Sequence, residues 1–380
     1  MKRVFVILLL VIFAAGVYFY FHQPKSEYSD INWSSYEHID TCNAHYYKTL
    51  SAREKVAYEA VLKNYKNFPD KIQVPTLDDK ELNRVFTAVI YDNPEAFCLN
   101  RNCKMSTTDK ISYFIPQYTM NKTEYEKELK ALKSKAKEII QMDYEDDYSA
   151  ELLFHDYLVD HCEYFSGEDK RYCNAYSALI LGKANCEGYT HAMNYLLKQA
   201  GVESFAVRGI GKLPGENPQS HIWNIVKINE NYYHLDVTWD DPVFVNVEKD
   251  ESVRYNYFNV TDAVIKQTHC NYSPDNLCNC EDENYYNHER LIFSSLEQDD
   301  KDKITEIIID TIEKQNNSFN LKFVNDDLYK KAKKILIEEQ EIYKLLAEAN
   351  KQCNSSIDDK KIYYRFYDDI QIIELMIVYR

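Results

Sequence analysis

The sequence predicts an α+β chain, and three observations carry that reading. Capping boxes open helices before residue 140. An amphipathic helix at 186–200 is followed by consecutive β-rich segments with turn signals between them. The last ninety residues mix helical and strand periods. Composition agrees: 45% hydrophobic and 28% charged residues describe a globular chain rather than a disordered one. Tyrosine is abundant at 33 copies and glycine scarce at 8, so helices and hairpins with polar loops are expected over strained turns. The net charge of −16, with no cluster of Lys or Arg, argues against nucleic acid and anionic lipid head groups as partners. The expected order is a membrane anchor or signal segment at 1–21, a stalk at 22–45, a mainly helical region at 46–146, a central domain at 147–288 and a small α/β domain at 289–380.

From the N-terminus, Met1-Lys2-Arg3 is a basic flank, and Val4 to Phe21 runs 18 residues without a charge. As a helix that run spans about 27 Å, close to a bilayer core. Ala14-Ala15-Gly16 resembles a cleavage site, yet the apolar run continues past it. We read an uncleaved anchor, with secretion after signal cleavage as the alternative. The positive flank keeps residues 2 and 3 inside and places the bulk of the chain outside the cytoplasm. In the helical region, Ser51-Ala52-Arg53-Glu54 is a capping box, and a second helix runs from Leu77 to Tyr91. Residues 111–119 read as an edge strand because Pro116 cannot donate to a ladder. Thr123-Glu124-Tyr125-Glu126 opens a third helix, and the acidic stretch from Asp143 to Asp147 marks a boundary. In the C-terminal part a helix at 302–314, a strand at 319–324, a long helix at 328–350 and one or two strands within 361–379 are expected. Nothing there suggests chemistry.

The chemistry-bearing residues lie in the centre. Asn185 suits a helix N-cap, and Tyr189, Ala192, Met193, Leu196, Leu197 and Ala200 form one apolar stripe ended by Gly201. Cys186 therefore stands in the first turn, where unpaired amides and the helix dipole favour an anionic sulfur. Taken alone, it could equally be an inert buried thiol or a disulfide partner. Ser204–Gly211, His221–Ile228 and Tyr232–Trp239 read as strands. Asn229-Glu230-Asn231 between the last two is a turn signal, so they form an antiparallel hairpin. If Ile228 pairs with Asn231 around a two-residue turn, Trp223 lies opposite Asp236, and His221 and Asp236 become diagonal neighbours on one face. A three-residue turn without a bulge would separate them. Taken alone, His221 would be a sheet histidine and Asp236 a turn or capping carboxylate. Together, a thiol at a helix start, an imidazole and a carboxylate are the parts of a thiol acyl-transfer site.

These segments resemble the bacterial transglutaminase-like superfamily. The resemblance runs through Ala175-Tyr176-Ser177-Ala178-Leu179, Asn185-Cys186-Glu187-Gly188-Tyr189, Ser220-His221-Ile222-Trp223-Asn224 and Tyr233-His234-Leu235-Asp236-Val237-Thr238-Trp239-Asp240, with Tyr257-Phe258-Asn259, Asp262 and His269 after them. The resemblance implies a papain-like α+β core in which the nucleophile's helix packs on an antiparallel sheet. It carries the nucleophile onto Cys186, the base onto His221 and the orienting acid onto Asp236. No Gln stands between 171 and 185 to serve as an oxyanion donor, so Tyr176 or Asn174 is the candidate beside the Cys186 amide. Trp223, His234 and Trp239 are expected to line the cleft.

No cofactor is called for. His269, Cys270, Cys278, Cys280 and His288 can be assembled into a zinc set on paper, but Cys-x-Cys is a poor zinc spacing, and no metal is expected. Of ten cysteines, Cys98 with Cys103 and Cys162 with Cys173 are the short-loop disulfide candidates. The leading functional reading is an extracytoplasmic thiol enzyme, a peptidase or a transglutaminase-type acyltransferase, acting on a protein or peptide substrate. The alternative is a surface scaffold that keeps the fold without turnover.

Overall fold

A computed structural model describes residues 44–380 apart from 101, 108–111, 168, 213–216, 242–253, 355 and 369. The expected anchor at 4–21 and nearly all of the stalk lie outside the described residues. Among the described residues, no helix is long and apolar enough to cross a membrane. The fold is α+β, as the sequence implied, with a helical N-terminal region. The described residues divide into two compact units, one of residues 44–143 with 169–206 and one of 144–167 with 207–380.

The first unit is built on helices whose starts were legible. Ser51 caps Ala52–Asn64 in a reciprocal box with Glu54, and Asp78 caps Asp79–Asp92 in the same way with Glu81. The helix at Lys122–Ile140 begins earlier than its Thr123 box implied. Asn121 is the cap, its Oδ1 accepting from the Glu124 amide at 2.9 Å. The expected edge strand is corrected: Ser112–Ile115 is the middle strand of three, between Ile72–Val74 and Lys104–Thr107. Pro116 falls just past its end, so the missing donor interrupts nothing. The core gathers Val61, Tyr65, Val89, Phe114 and Tyr125.

Among the described residues, the second unit holds two four-stranded sheets, apart from Ser204–Ala206, which open one strand in the first. In one, Asn231–Leu235, Gln219–Ile228, Ser204–Gly211 and His269–Cys270 lie in that order. The other orders Ile292–Phe293, Ser318–Phe323, Ile372–Tyr379 and Ile357–Tyr367, packed by Gln298–Glu313 and Glu341–Asn350 over Ile308, Leu321, Leu346 and Leu375. The long helix expected over 328–350 is broken. Asp326–Ala332 runs into a wide-turned stretch to Glu338, and Gln340 at φ 63° precedes the next helix. A left-handed residue cannot continue a right-handed helix, and periodicity alone does not reveal it.

Candidate functional site

Asn229 and Glu230 both adopt positive φ, 47° and 69°. Two successive left-handed residues give the two-residue turn whose twist matches paired strands. The register follows: Ile228 pairs with Asn231 and Asn224 with Leu235. His221 and Asp236 consequently share a face, and His221 Nε2 lies 2.6 Å from Asp236 Oδ2, with His221 6% and Asp236 1% exposed. One part of the expectation fails. The strand ends at Leu235 instead of running to Trp239, and Asp236 caps a single helical turn, Val237–Asp240, with Oδ1 accepting from the Trp239 amide at 3.2 Å. Asp236 thus caps the turn with one oxygen and meets His221 with the other. Burial would raise this carboxyl, but the neighbouring His221 and His269 outweigh it and hold it well below the usual carboxylate range.

His269 was not singled out from the sequence as a site residue. It sits opposite Gly211 on the short edge strand and brings Nε2 to 3.1 Å from the same Asp236 Oδ2, while its Nδ1 meets Thr268 Oγ1 at 2.9 Å. Burial lowers its basicity against the opposing pull of Asp236. The available signal was its place after Asn259 and Asp262 in the family-like run. Gly209 and Gly211 were also missed. A Cβ at Gly209 would stand 2.8 Å from Trp223 Cη2, and one at Gly211 would stand 2.7 Å from Trp239 Cζ2 and 3.3 Å from His221 Cβ. Two glycines on one face of one strand, in a chain with eight, mark where the indoles pack against it.

The residues expected to line a cleft are all buried: Trp223 1%, Trp239 4% and His234 0% exposed. Trp239 lies 4.2 Å from the His269 ring and 5.3 Å from that of His221, centroid to centroid. His234 is held on both sides, accepting from Trp223 Nε1 at Nδ1 (3.0 Å) and facing Asp262 Oδ1 from Nε2 (3.3 Å). Burial lowers it to about 4 despite Asp262. Asp240 is fully buried, accepting from the Tyr257 amide at 2.8 Å and lying 3.3 Å from His155 Nε2.

Among the described residues, two groups could offer three metal ligands: His221, Asp236 and His269, and His234, Asp262 and Cys278. In the second, Trp223 donates to Nδ1 of His234, so the neutral ring carries its proton on Nε2 and has no lone pair there for a cation. In the first, both Nε2 atoms face one carboxylate oxygen, an arrangement that two N–H donors satisfy. Of the zinc set assembled on paper, His288 is bonded to Glu283 at 2.7 Å and stacked on Tyr148.

Cys186 opens the helix Cys186–Ala200 in the first unit. Asn185 is its cap, with Oδ1 accepting from the amides of Glu187 (3.1 Å) and Gly188 (3.2 Å), and Gly201 closes it at φ +87°. The cap leaves the Cys186 amide outside its own bonds. Gly188 lets the first turn press against neighbouring backbone: a Cβ there would come within 2.8 Å of the Tyr172 carbonyl oxygen and 2.6 Å of Ala184 Cβ. Of the oxyanion candidates, Asn174 uses its side chain locally, accepting from the Ser177 amide and donating to the Arg171 carbonyl. Tyr176 stacks on Phe97 at 6.1 Å. The short-loop disulfides are not formed; the nine described cysteines are thiols, with Cys98 pushed by burial up to about 12 and Cys103 up to about 11.

The first unit carries a helix-borne thiol and the second a strand-borne imidazole–carboxylate pair, on a thiol-enzyme-like fold. Residues 133–237 match the sequence model of the transglutaminase-like superfamily, a stretch that contains Cys186, His221 and Asp236 and stops before His269. No curated protein matches the chain. Similar solved structures include a candidate cysteine protease from Cytophaga hutchinsonii (12% identity, TM-score 0.25, covering 36% of this chain and 61% of that one). Another is described as a TGase (15% identity, TM-score 0.25, 44% and 50%). A third is the periplasmic domain of TgpA from Pseudomonas aeruginosa bound to ethylmercury (14% identity, TM-score 0.17, 36% and 65%). The chain spans less than two thirds of each of these structures.

Proposed function

We propose that the chain is a thiol enzyme that acts on peptide or side-chain amides through an acyl-enzyme on Cys186, with His221 as base and Asp236 as its orienting acid. The observation that supports this most is the 2.6 Å contact of His221 Nε2 with the buried, ionised Asp236. It fixes the ring's tautomer and leaves proton exchange with the thiol to Nδ1. In the first step His221 takes the thiol proton and the sulfur attacks the amide carbonyl carbon. The adduct collapses with cleavage of the C–N bond, the amine departs with the proton from His221, and a thioester remains. Water or a second amine, giving its proton to His221, then attacks the thioester carbon and frees the thiol. Hydrolysis and transamidation share every step before that choice. The uncharged run at 4–21 and its basic flank support action outside the cytoplasm.

The test is alkylation by iodoacetamide read by peptide mapping. Cys186 should label at least tenfold faster than Cys270, an exposed thiol, and lose that advantage in His221→Ala. Equal labelling of the two cysteines in the parent chain would sink the proposal.

A further inference from the structure

We propose that a cavity in the first unit is a side-chain pocket for an aromatic or branched aliphatic residue of the amide substrate, seated next to Cys186. The substrate role rests on the function proposed above; the existence of the pocket does not.

The cavity measures about 280 Å³, just below the usual range of ligand sites (roughly 300–1,000 Å³) and suited to one large side chain. Its walls are mostly apolar, with Ile90, Phe97 and Leu99 prominent among them. Phe97 is held in place by Tyr125 (5.3 Å) and Tyr176 (6.1 Å), so that wall is set before anything binds. Two further lining residues tie the cavity to the thiol. Glu187 follows Cys186 directly in the chain, and Cys173 accepts a hydrogen bond from the side chain of the cap residue Asn185 at 3.0 Å.

Asn93 gives the cavity a polar anchor. It lines the cavity and is only 6% exposed. Both of its amide hydrogens are spent, on Tyr58 Oη and the Val89 carbonyl, each at 2.9 Å. Its Oδ1 has no hydrogen-bond partner among the described residues. That oxygen is not among the sealed atoms that lack a partner, so it is an acceptor within reach of an incoming donor, and a substrate's backbone N–H, carried in beside an apolar side chain, supplies one. Ile90, Asn93, Phe97 and Leu99 all precede residue 133, so the pocket is furnished largely by sequence outside the family-matched stretch. The preference is accordingly a property of this chain's N-terminal region.

The experiment uses the full chain carrying Cys186→Ala, which cannot turn over, with N-acetyl-4-fluoro-L-phenylalaninamide as a ¹⁹F NMR probe. The probe should shift and broaden on addition of protein. N-acetyl-L-leucinamide should displace it, and N-acetylglycinamide should need at least tenfold more. Thr119→Trp places an indole at the exposed rim of the cavity and should weaken the probe at least tenfold with the unfolding midpoint preserved. Phe97→Ala, which widens the cavity, should shift preference towards a naphthylalanine derivative. Displacement by the glycine and leucine compounds at equal concentration, or unchanged probe binding in a folded Thr119→Trp chain, overturns the proposal. Alkylation of Cys186 is measured separately on the cysteine-bearing chain. If alkylation is ordinary while the probe discriminates, the enzyme reading falls and the pocket stands. If alkylation is His221-dependent while the probe does not discriminate, the pocket falls alone.

Discussion

His269 and His221 donate to one oxygen of Asp236, at 3.1 and 2.6 Å, so the acid is positioned from two sides. Removing His269 takes away one hydrogen bond to a charged group, on the order of 1.5 kcal/mol or about tenfold in rate. His269→Ala should therefore slow Cys186 alkylation about tenfold. The His221 Nε2–H resonance should move downfield, because the carboxylate then serves that ring alone at this oxygen. His269→Gln, which can donate from a similar place, should restore part of both. An unmoved resonance would assign His269 to packing only. His234 makes a different kind of statement. Burial lowers it from 6.5 to about 4, so between those values the unfolded chain binds a proton that the folded chain does not. Stability linked to this ring is complete above about pH 6.5 and is lost as pH falls towards 4, by about 2 kcal/mol between pH 7 and pH 5. His234→Gln keeps one donor and one acceptor and should flatten that part of the melting-temperature profile.

The hairpin that carries the imidazole and the acid depends on its turn. Glu230 holds φ 69°, a conformation that costs a side chain more than it costs glycine. Glu230→Gly should raise the melting temperature slightly and leave Cys186 labelling unchanged. Gly211→Ala should do the reverse. The added methyl meets the Trp239 ring and His221 Cβ, so the labelling advantage of Cys186 should fall more than tenfold with a smaller change in melting temperature. At this scale much was legible. The helix from Cys186 to Ala200, its Asn185 cap, its Gly201 stop and the two-residue turn all follow from local rules that tertiary contacts did not override. The end of the strand at Leu235 was not legible. Asp236 fits a strand by parity and a helix cap by chemistry, and only the Tyr257 carbonyl that takes its amide at 3.1 Å decides between them. The middle position of Ser112–Ile115 was hidden because its two partners, Ile72–Val74 and Lys104–Thr107, are too short to read as strands on their own.

Across the whole molecule, the family-matched stretch of 133–237 is not self-sufficient. His234 exchanges both backbone hydrogen bonds with Val260 at 2.9 Å, and the edge strand bearing His269 comes from further on still. A fragment of 133–237 should show no cooperative unfolding transition by circular dichroism, whereas the full chain should. Long-range closure of this sort is what a reading of periodicity and motifs cannot supply, which is why His269 and the pair of strand glycines escaped it. The meeting of these segments at Asp236 also limits how the sequence can drift. Where one ring leans on one oxygen, a carboxamide can stand in for an acid. Residue 236 instead faces two imidazole N–H groups from one oxygen and a backbone N–H from the other. Asparagine has a single acceptor to share among them, and either way round its NH₂ would confront a donor. This position is thus closed to the mildest substitution available to it, and a descendant that changed it would have to rebuild two strands at once.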